Sequence, residues 1–137
     1  MTDSMPAIPP AKGGVVPYLN LDGAAKAAEF YQKAFGAKMV FMQPVDDKGR
    51  TMHAHLEING TSLMISDFYA EHGHSPVAPQ GFNLLLTTGH IDADYQHAID
   101  AGCTPTMPPQ DMFWGDRYGQ LKDPFGVTWA VTQTKSA

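Results

Sequence analysis

Two groups of side chains have the types and spacing that chemistry asks for. His53, His55 and Glu57 alternate along one stretch, so a strand over residues 52–58 puts two imidazoles and a carboxylate on one face. Such a set could share a metal, could run general acid–base chemistry on His55 with Glu57 tuning it, or could form a hydrogen-bonded polar face. Side chains at i and i+2 stand about 6.5–7 Å apart along a strand, so two of the three share an ion only if a neighbouring strand helps. The second group is Trp114, Arg117 and Tyr118. An arginine between aromatic rings suits an anion clamp with stacking walls. It equally suits an ion pair with Asp116 or Asp123 that staples a hairpin. His72 and His74 lie in a stretch with Gly73, Pro76 and Pro79 and read as solvent-facing. Cys103 stands alone and reads as a small buried hydrophobe beside a helix end.

Composition narrows the classes of partner. The chain has 137 residues, 43% of them hydrophobic, which suffices for one packed core. A net charge of −5 argues against a nucleic-acid surface, which needs a basic face. There is no lysine or arginine run for an anionic membrane and no apolar stretch near the roughly 18 residues of a span. The first residues lack a basic segment followed by an apolar run. A single cysteine fits a reducing compartment. The expectation is a soluble cytoplasmic protein.

The elements that must position these groups fall into two similar halves. Residues 1–13, with Pro6, Pro9, Pro10 and Gly13, read as a disordered arm. A strand over 15–21 contains Pro17 and therefore reads as an edge. Asp22 is the expected N-cap of a helix whose Ala27, Phe30, Tyr31, Ala34 and Phe35 form an apolar stripe, and Gly36 stops it. Strands over 38–43, 52–58 and 61–66 follow, joined through Asp46-Asp47-Lys48-Gly49 and the hairpin signal Asn59-Gly60. The second half repeats the order. A strand over 82–88 precedes a helix capped by Asp92 that carries Tyr95, Ala98 and Ile99 up to Gly102. A short strand over 104–107 and a hairpin turning at Asp123-Pro124-Phe125-Gly126 complete it. Tyr31, Gln32, Ala34 and Ala37 match Tyr95, Gln96, Ala98 and Ala101, as a duplicated unit would. The division is a first module over 14–70, a linker over 71–80 and a second module over 81–137, in one domain.

Several motifs occur in a familiar order: Pro17-Tyr18-Leu19, Phe30-Tyr31, Ala34-Phe35-Gly36, Met52-His53-Ala54, Ser66-Asp67, Phe113-Trp114-Gly115-Asp116-Arg117 and Asp123-Pro124-Phe125-Gly126. Over about residues 15–133 the chain resembles the PhnB-like branch of the vicinal oxygen chelate superfamily. That superfamily includes glyoxalase I, extradiol dioxygenases, fosfomycin-resistance enzymes and bleomycin-binding resistance proteins. The resemblance implies an α+β fold of two βαβββ modules forming a curved mixed-sheet cleft, with modules pairing in a homodimer. In the family's metalloenzymes a divalent metal is held from the first and last strand of each module. Those positions carry over to Val16, about Met64, Asn83 and Ala130, of which only Asn83 offers an oxygen. No cofactor is therefore expected; the alternative is a divalent metal moved to His53, His55 and Glu57.

The family register agrees with the alternation read from the residues. Val16, Tyr18, Asn20, His53, His55, Glu57, Ser62, Met64, Ser66, Asn83, Leu85, Thr87, Thr128, Ala130 and Thr132 face the cleft, and the complementary apolar sets face the helices. The expectation is a metal-free protein binding a small organic molecule through Tyr18, Asn20, His53, His55, Trp114, Arg117 and Tyr118, with no nucleic acid or membrane partner. His55 and Glu57 are the candidate catalytic residues, and the residues leave open whether there is catalysis.

Overall fold

Short alternating runs, cut by glycine-bearing turns, make strands; the two apolar stripes make helices. The computed structural model describes residues 8–135, so residues 1–7 of the expected arm and residues 136–137 of the second module lie outside it. The order is β1 (Tyr18–Asn20), α1 (Ala24–Phe35), β2 (Lys38–Met42), β3 (Ala54–Ile58), β4 (Thr61–Ser66), β5 (Leu84–Thr87), α2 (Ile91–Ala101), β6 (Thr104–Asp111), β7 (Asp116–Lys122) and β8 (Thr128–Thr134). A single 3₁₀ turn, Ala70–His72, follows β4. The two sheets run β1-β4-β3-β2 and β5-β8-β7-β6. In each, the first strand pairs parallel with the last and the other pairs are antiparallel. The same βαβββ unit therefore occurs twice, in an α+β fold. Among the described residues no helix is long and apolar enough to cross a membrane.

Several boundaries differ from the sequence reading, each for a local reason. β1 has three residues, and Val15 before it is 93% exposed. Pro17 brings no N–H to the ladder, although its carbonyl accepts from Met64 N at 3.0 Å. The strand expected to stop at Met107 runs on through Pro108 and Pro109 as β6. It is a sheet edge, where missing donors cost nothing, and its register shifts twice. Gly119 of β7 makes room for it: a Cβ there would lie 3.1 Å from both the Met107 carbonyl oxygen and Pro109 N. Phe82, expected to face the helices, precedes β5 and is 45% exposed.

Neither expected N-cap is used. Gly23 and His90 precede the helices and cap nothing through their own side chains. Instead Asp67 Oδ1 accepts from Gly23 N at 2.8 Å and Ala24 N at 3.1 Å, and Gln133 Oε1 accepts from Ile91 N at 2.8 Å. Both caps come from the end of a module's last strand, which lies beside the start of its helix. The free helix N–H groups are satisfied across the fold, so Asp22 is left to solvent and Asp92 pairs with Arg117 instead of capping.

The helix-facing sides form one core of Leu19, Leu21, Ala27, Tyr31, Leu56, Ile65, Tyr95, Leu121, Val127 and Trp129 among others. Its hub is Asp123, 4% exposed, in the turn before β8. Asp123 Oδ1 accepts from Phe125 N at 2.8 Å and Val127 N at 3.0 Å. Oδ2 accepts from Trp129 Nε1 at 2.9 Å and from the Tyr31 hydroxyl of α1. Tyr31 packs edge-on to Trp129, centroids 5.2 Å apart, and Phe35 lies 4.3 Å from Trp129. Burial, then the Asp123 charge, pushes the Tyr31 phenol far above its ordinary value, so it remains a donor. The same two causes raise the buried Cys103 thiol to about 12, which makes it a packing group rather than a nucleophile.

Tyr31→Phe removes one hydrogen bond to a buried carboxylate without changing the ring, and should cost about 1.5–3 kcal/mol in urea unfolding. Asp123→Ala strands four donors and should cost about 3–5 kcal/mol. A Tyr31→Phe loss below about 0.5 kcal/mol would mean that this bond does not couple the modules.

Candidate functional site

Strand pairing draws the concave face of the first module as rows of side chains. Tyr18 pairs with Met64, Met64 with His55, and His55 with Phe41. The next row holds Asn20 beside Ser66, with His53 just before β3; on the other side Glu57 lies opposite Ser62. The period of two thus puts His53, His55 and Glu57 on one face, but their surroundings separate them.

His53 is the member that reaches Tyr18. Its Nδ1 lies 3.0 Å from the Tyr18 hydroxyl, with the rings 5.8 Å apart. Phe41 lies 6.2 Å and His55 6.5 Å from it by ring centroids. Burial, then the neighbouring His55, lowers the His53 pKa below its ordinary value, so its imidazole is neutral at pH 7. Tyr18, by contrast, is 49% exposed.

His55 is only 1% exposed. Its Nε2 lies 2.7 Å from Ser62 Oγ, and its buried Nδ1 has no partner among the described residues. Glu57 makes no hydrogen bond to His55; its Oε2 pairs with Lys12 Nζ at 3.1 Å. The expected acid–base couple of His55 and Glu57 is therefore not assembled. The ladder carries Glu57 one pair beyond His55, where Lys12 takes its charge.

A cleft of about 350 Å³ opens beside Tyr18, between β1, the end of β4 and the segment after it. Tyr18, Asn20, Met52, Ser66, Asp67, Tyr69, His72 and His74 line it. Tyr69, His72 and His74 were not expected there, because a segment without periodicity gives no face. Arg50 turns it inward. The Arg50 guanidinium forms two bonds to Glu71, at 2.9 and 2.7 Å, and a third to Asp46 at 3.0 Å, and it stacks 4.4 Å over the Tyr69 ring. The Arg50 hydrogen bonds hold the Glu71 carboxyl down at about 2, so the clamp is charged throughout the neutral range. The sequence signal was an Arg within reach of two acids on a neighbouring loop, which is too common to single out.

The second-module candidates form no clamp on this face. Trp114 Nε1 donates to Asp116 Oδ2 at 3.1 Å, and its ring lies 5.9 Å from Tyr118. Arg117 sits one residue before Tyr118 on β7, so it points to the opposite face. It bonds Asp92 at 2.9 Å and Asp111 at 3.2 Å. The expected partners are committed elsewhere, Asp116 to Trp114 and Asp123 to the core. The arginine is thus a staple, between β7, β6 and the first turn of α2.

The inherited metal positions do not fit an ion. Val16, Met64 and Ala130 bring no donor, and Asn83 lies just before β5. At the alternative position His55 Nε2 is engaged by Ser62 and Glu57 by Lys12. Among the described residues no three His, Cys, Asp or Glu side chains converge to hold a metal.

The His53 shift has a sign that can be checked. The folded chain holds this proton less tightly than the unfolded chain, so stability is retained above about pH 6.5 and lost as the pH falls below it. In a nuclear magnetic resonance titration the His53 ring should titrate below about 6.5. His53→Gln should flatten the loss of stability between about pH 7 and 5.

Comparison with known proteins places this geometry. Residues 15–131 match the profile of the Glyoxalase/Bleomycin resistance protein/Dioxygenase superfamily. The chain is 38% identical over 123 residues to the Mycobacterium bovis protein Mb0911c, covering 85% of this chain and 80% of that one. Among solved structures, protein PA1353 from Pseudomonas aeruginosa superposes with a TM-score of 0.73 at 27% identity, covering 89% of this chain and 98% of that one. A PhnB protein from Bacillus cereus superposes with a TM-score of 0.68 at 21% identity, covering 89% and 100%, a likeness of fold alone. With two βαβββ modules in order and the profile matched across both, the chain belongs to the glyoxalase/bleomycin resistance protein/dioxygenase superfamily.

Proposed function

We propose that the chain binds a small organic molecule on the concave face of its first module, without the divalent ion of the family's metalloenzymes. The observation that carries this reading is the Tyr18–His53 pair, hydrogen-bonded at 3.0 Å beside the cleft of about 350 Å³. That volume suits a drug-sized ligand. Tyr18 and Tyr69 offer ring surface for a planar group. Asn20, Ser66 and the two loop histidines offer hydrogen bonds that fix its orientation. The family name includes proteins that confer bleomycin resistance, a setting in which binding alone is useful.

A second reading, proton abstraction from the bound molecule by His53, is favoured by one observation. Its imidazole is neutral and is bonded to Tyr18 through Nδ1, and among the described residues its Nε2 has no partner. The proposal extends to a homodimer in a reducing, cytoplasmic setting. Leu85 at 56% and Phe82 at 45% exposure give a second copy apolar surface near the β5 edge.

Isothermal titration against a panel of planar aromatic compounds and glycopeptides should find a ligand with a Kd in the micromolar range. Tyr18→Ala and His53→Ala should each weaken that ligand about ten-fold or more, whereas Arg117→Ala should leave it within about two-fold. Equal binding by the parent and the Tyr18→Ala and His53→Ala variants would sink the reading.

A further inference from the structure

At the far end of the same concave face the chain touches itself in an unusual way. β1 begins at Tyr18 and covers the β4 edge only from Met64 onward. At Ser62 that edge is covered by Lys12, ahead of β1, instead. Lys12 N donates to Ser62 Oγ at 2.7 Å, Ser62 N donates to the Lys12 carbonyl at 3.0 Å, and Lys12 Nζ pairs with Glu57 at 3.1 Å. The backbone then leaves the sheet through Gly13, at φ 120°, and Gly14, before the 93%-exposed Val15. One residue thus supplies an amide donor, an amide acceptor and an ammonium to three protein groups, and a two-glycine hinge links it to the fold.

What it touches is an otherwise unfinished polar site. Ser62, itself 1% exposed, is the partner of His55 Nε2, and among the described residues His55 Nδ1 is buried without a partner. The row Tyr18, His53, His55, Ser62 runs from the cleft to Lys12. A buried imidazole edge lacking a partner is costly unless a bound group or water completes it. Lys12 satisfies the serine and the glutamate, and His55 meets this end only through Nε2 and Ser62.

We propose that the Glu57–Ser62 end of the concave face is a second ligand subsite, for an amide-bearing group with a primary ammonium. In the resting chain Lys12 occupies it as a tethered competitor. The inference rests on the concave face being the ligand surface. The tether has a low barrier: the Lys12 side chain is 64% exposed, and exposed ion pairs contribute little. A ligand longer than the Tyr18 cleft displaces Lys12 and takes over its three contacts, with Ser62 still seated on His55.

The test uses the full chain and reads hydrogen exchange at the Ser62 amide. In Lys12→Glu, which faces Glu57 with a like charge, that amide should exchange about ten-fold faster while Ile65 is unchanged. Lys12→Pro, which lacks the donor to Ser62 Oγ, should do the same. A free peptide with the sequence of residues 8–16, added at about millimolar concentration, should slow Ser62 exchange in Lys12→Glu back by about five-fold or more. The same peptide with glutamate in place of the lysine should not. Exchange within about two-fold of the parent in both variants overturns the tether, and two peptides of equal effect overturn the ligand class. These readouts sit at Ser62, so a failure to find an aromatic ligand at Tyr18 counts against the functional proposal and leaves them standing.

Discussion

One buried carboxylate holds the two halves in register. Asp123 accepts two backbone N–H groups of its own turn, the indole of β8 and the phenol of α1. Each donor fixes a different thing: the turn's shape, the start of β8, and the seat of the first module's helix on the second module. A carboxylate taken from water is tolerated only when its oxygens are well supplied with donors, and here both oxygens accept two. Phe35, Phe30 and Phe125 then pack around a polar centre that cannot shift without breaking several bonds at once.

This arrangement explains which parts of the fold were legible in the residues. Alternation read correctly wherever one face met a helix, as in β3, β4 and β8, because burial marks every second residue with an apolar side chain. The order βαβββ, twice, followed from that and from the Gly-bearing turns. Helix starts were misread, because a cap supplied by Asp67 or Gln133 comes from a residue over forty positions away and leaves no local mark. Asp123 looked like ordinary turn chemistry beside Pro124 and Gly126. Its role depends on Tyr31, in the other module.

The candidate site was legible in outline and not in detail. Tyr18 and Asn20, named from alternation, line one cleft, and His53 is bonded to Tyr18 beside it. His55 shares their face but is roofed over, because facing one way and being reachable are different properties. Arg117 shows the same limit: a single step along β7 moves a side chain to the other side of the sheet, and the acids that wait there decide its use. Tyr69, His72 and His74 belong to a segment whose direction is set by the Arg50 bonds to Glu71, so nothing periodic announced them.

The outer rims of the two sheets bear on how copies of this chain can meet. β6 contains Pro105, Pro108 and Pro109 and shifts register twice, and β2 is interrupted by a bulge between Met39 and Phe41. Neither rim offers an unbroken row of hydrogen-bonding groups to a foreign strand. The remaining borders, β1 and β5, are three and four residues long. Sheet growth from molecule to molecule thus meets interrupted strands on the long sides and brief ones on the short sides.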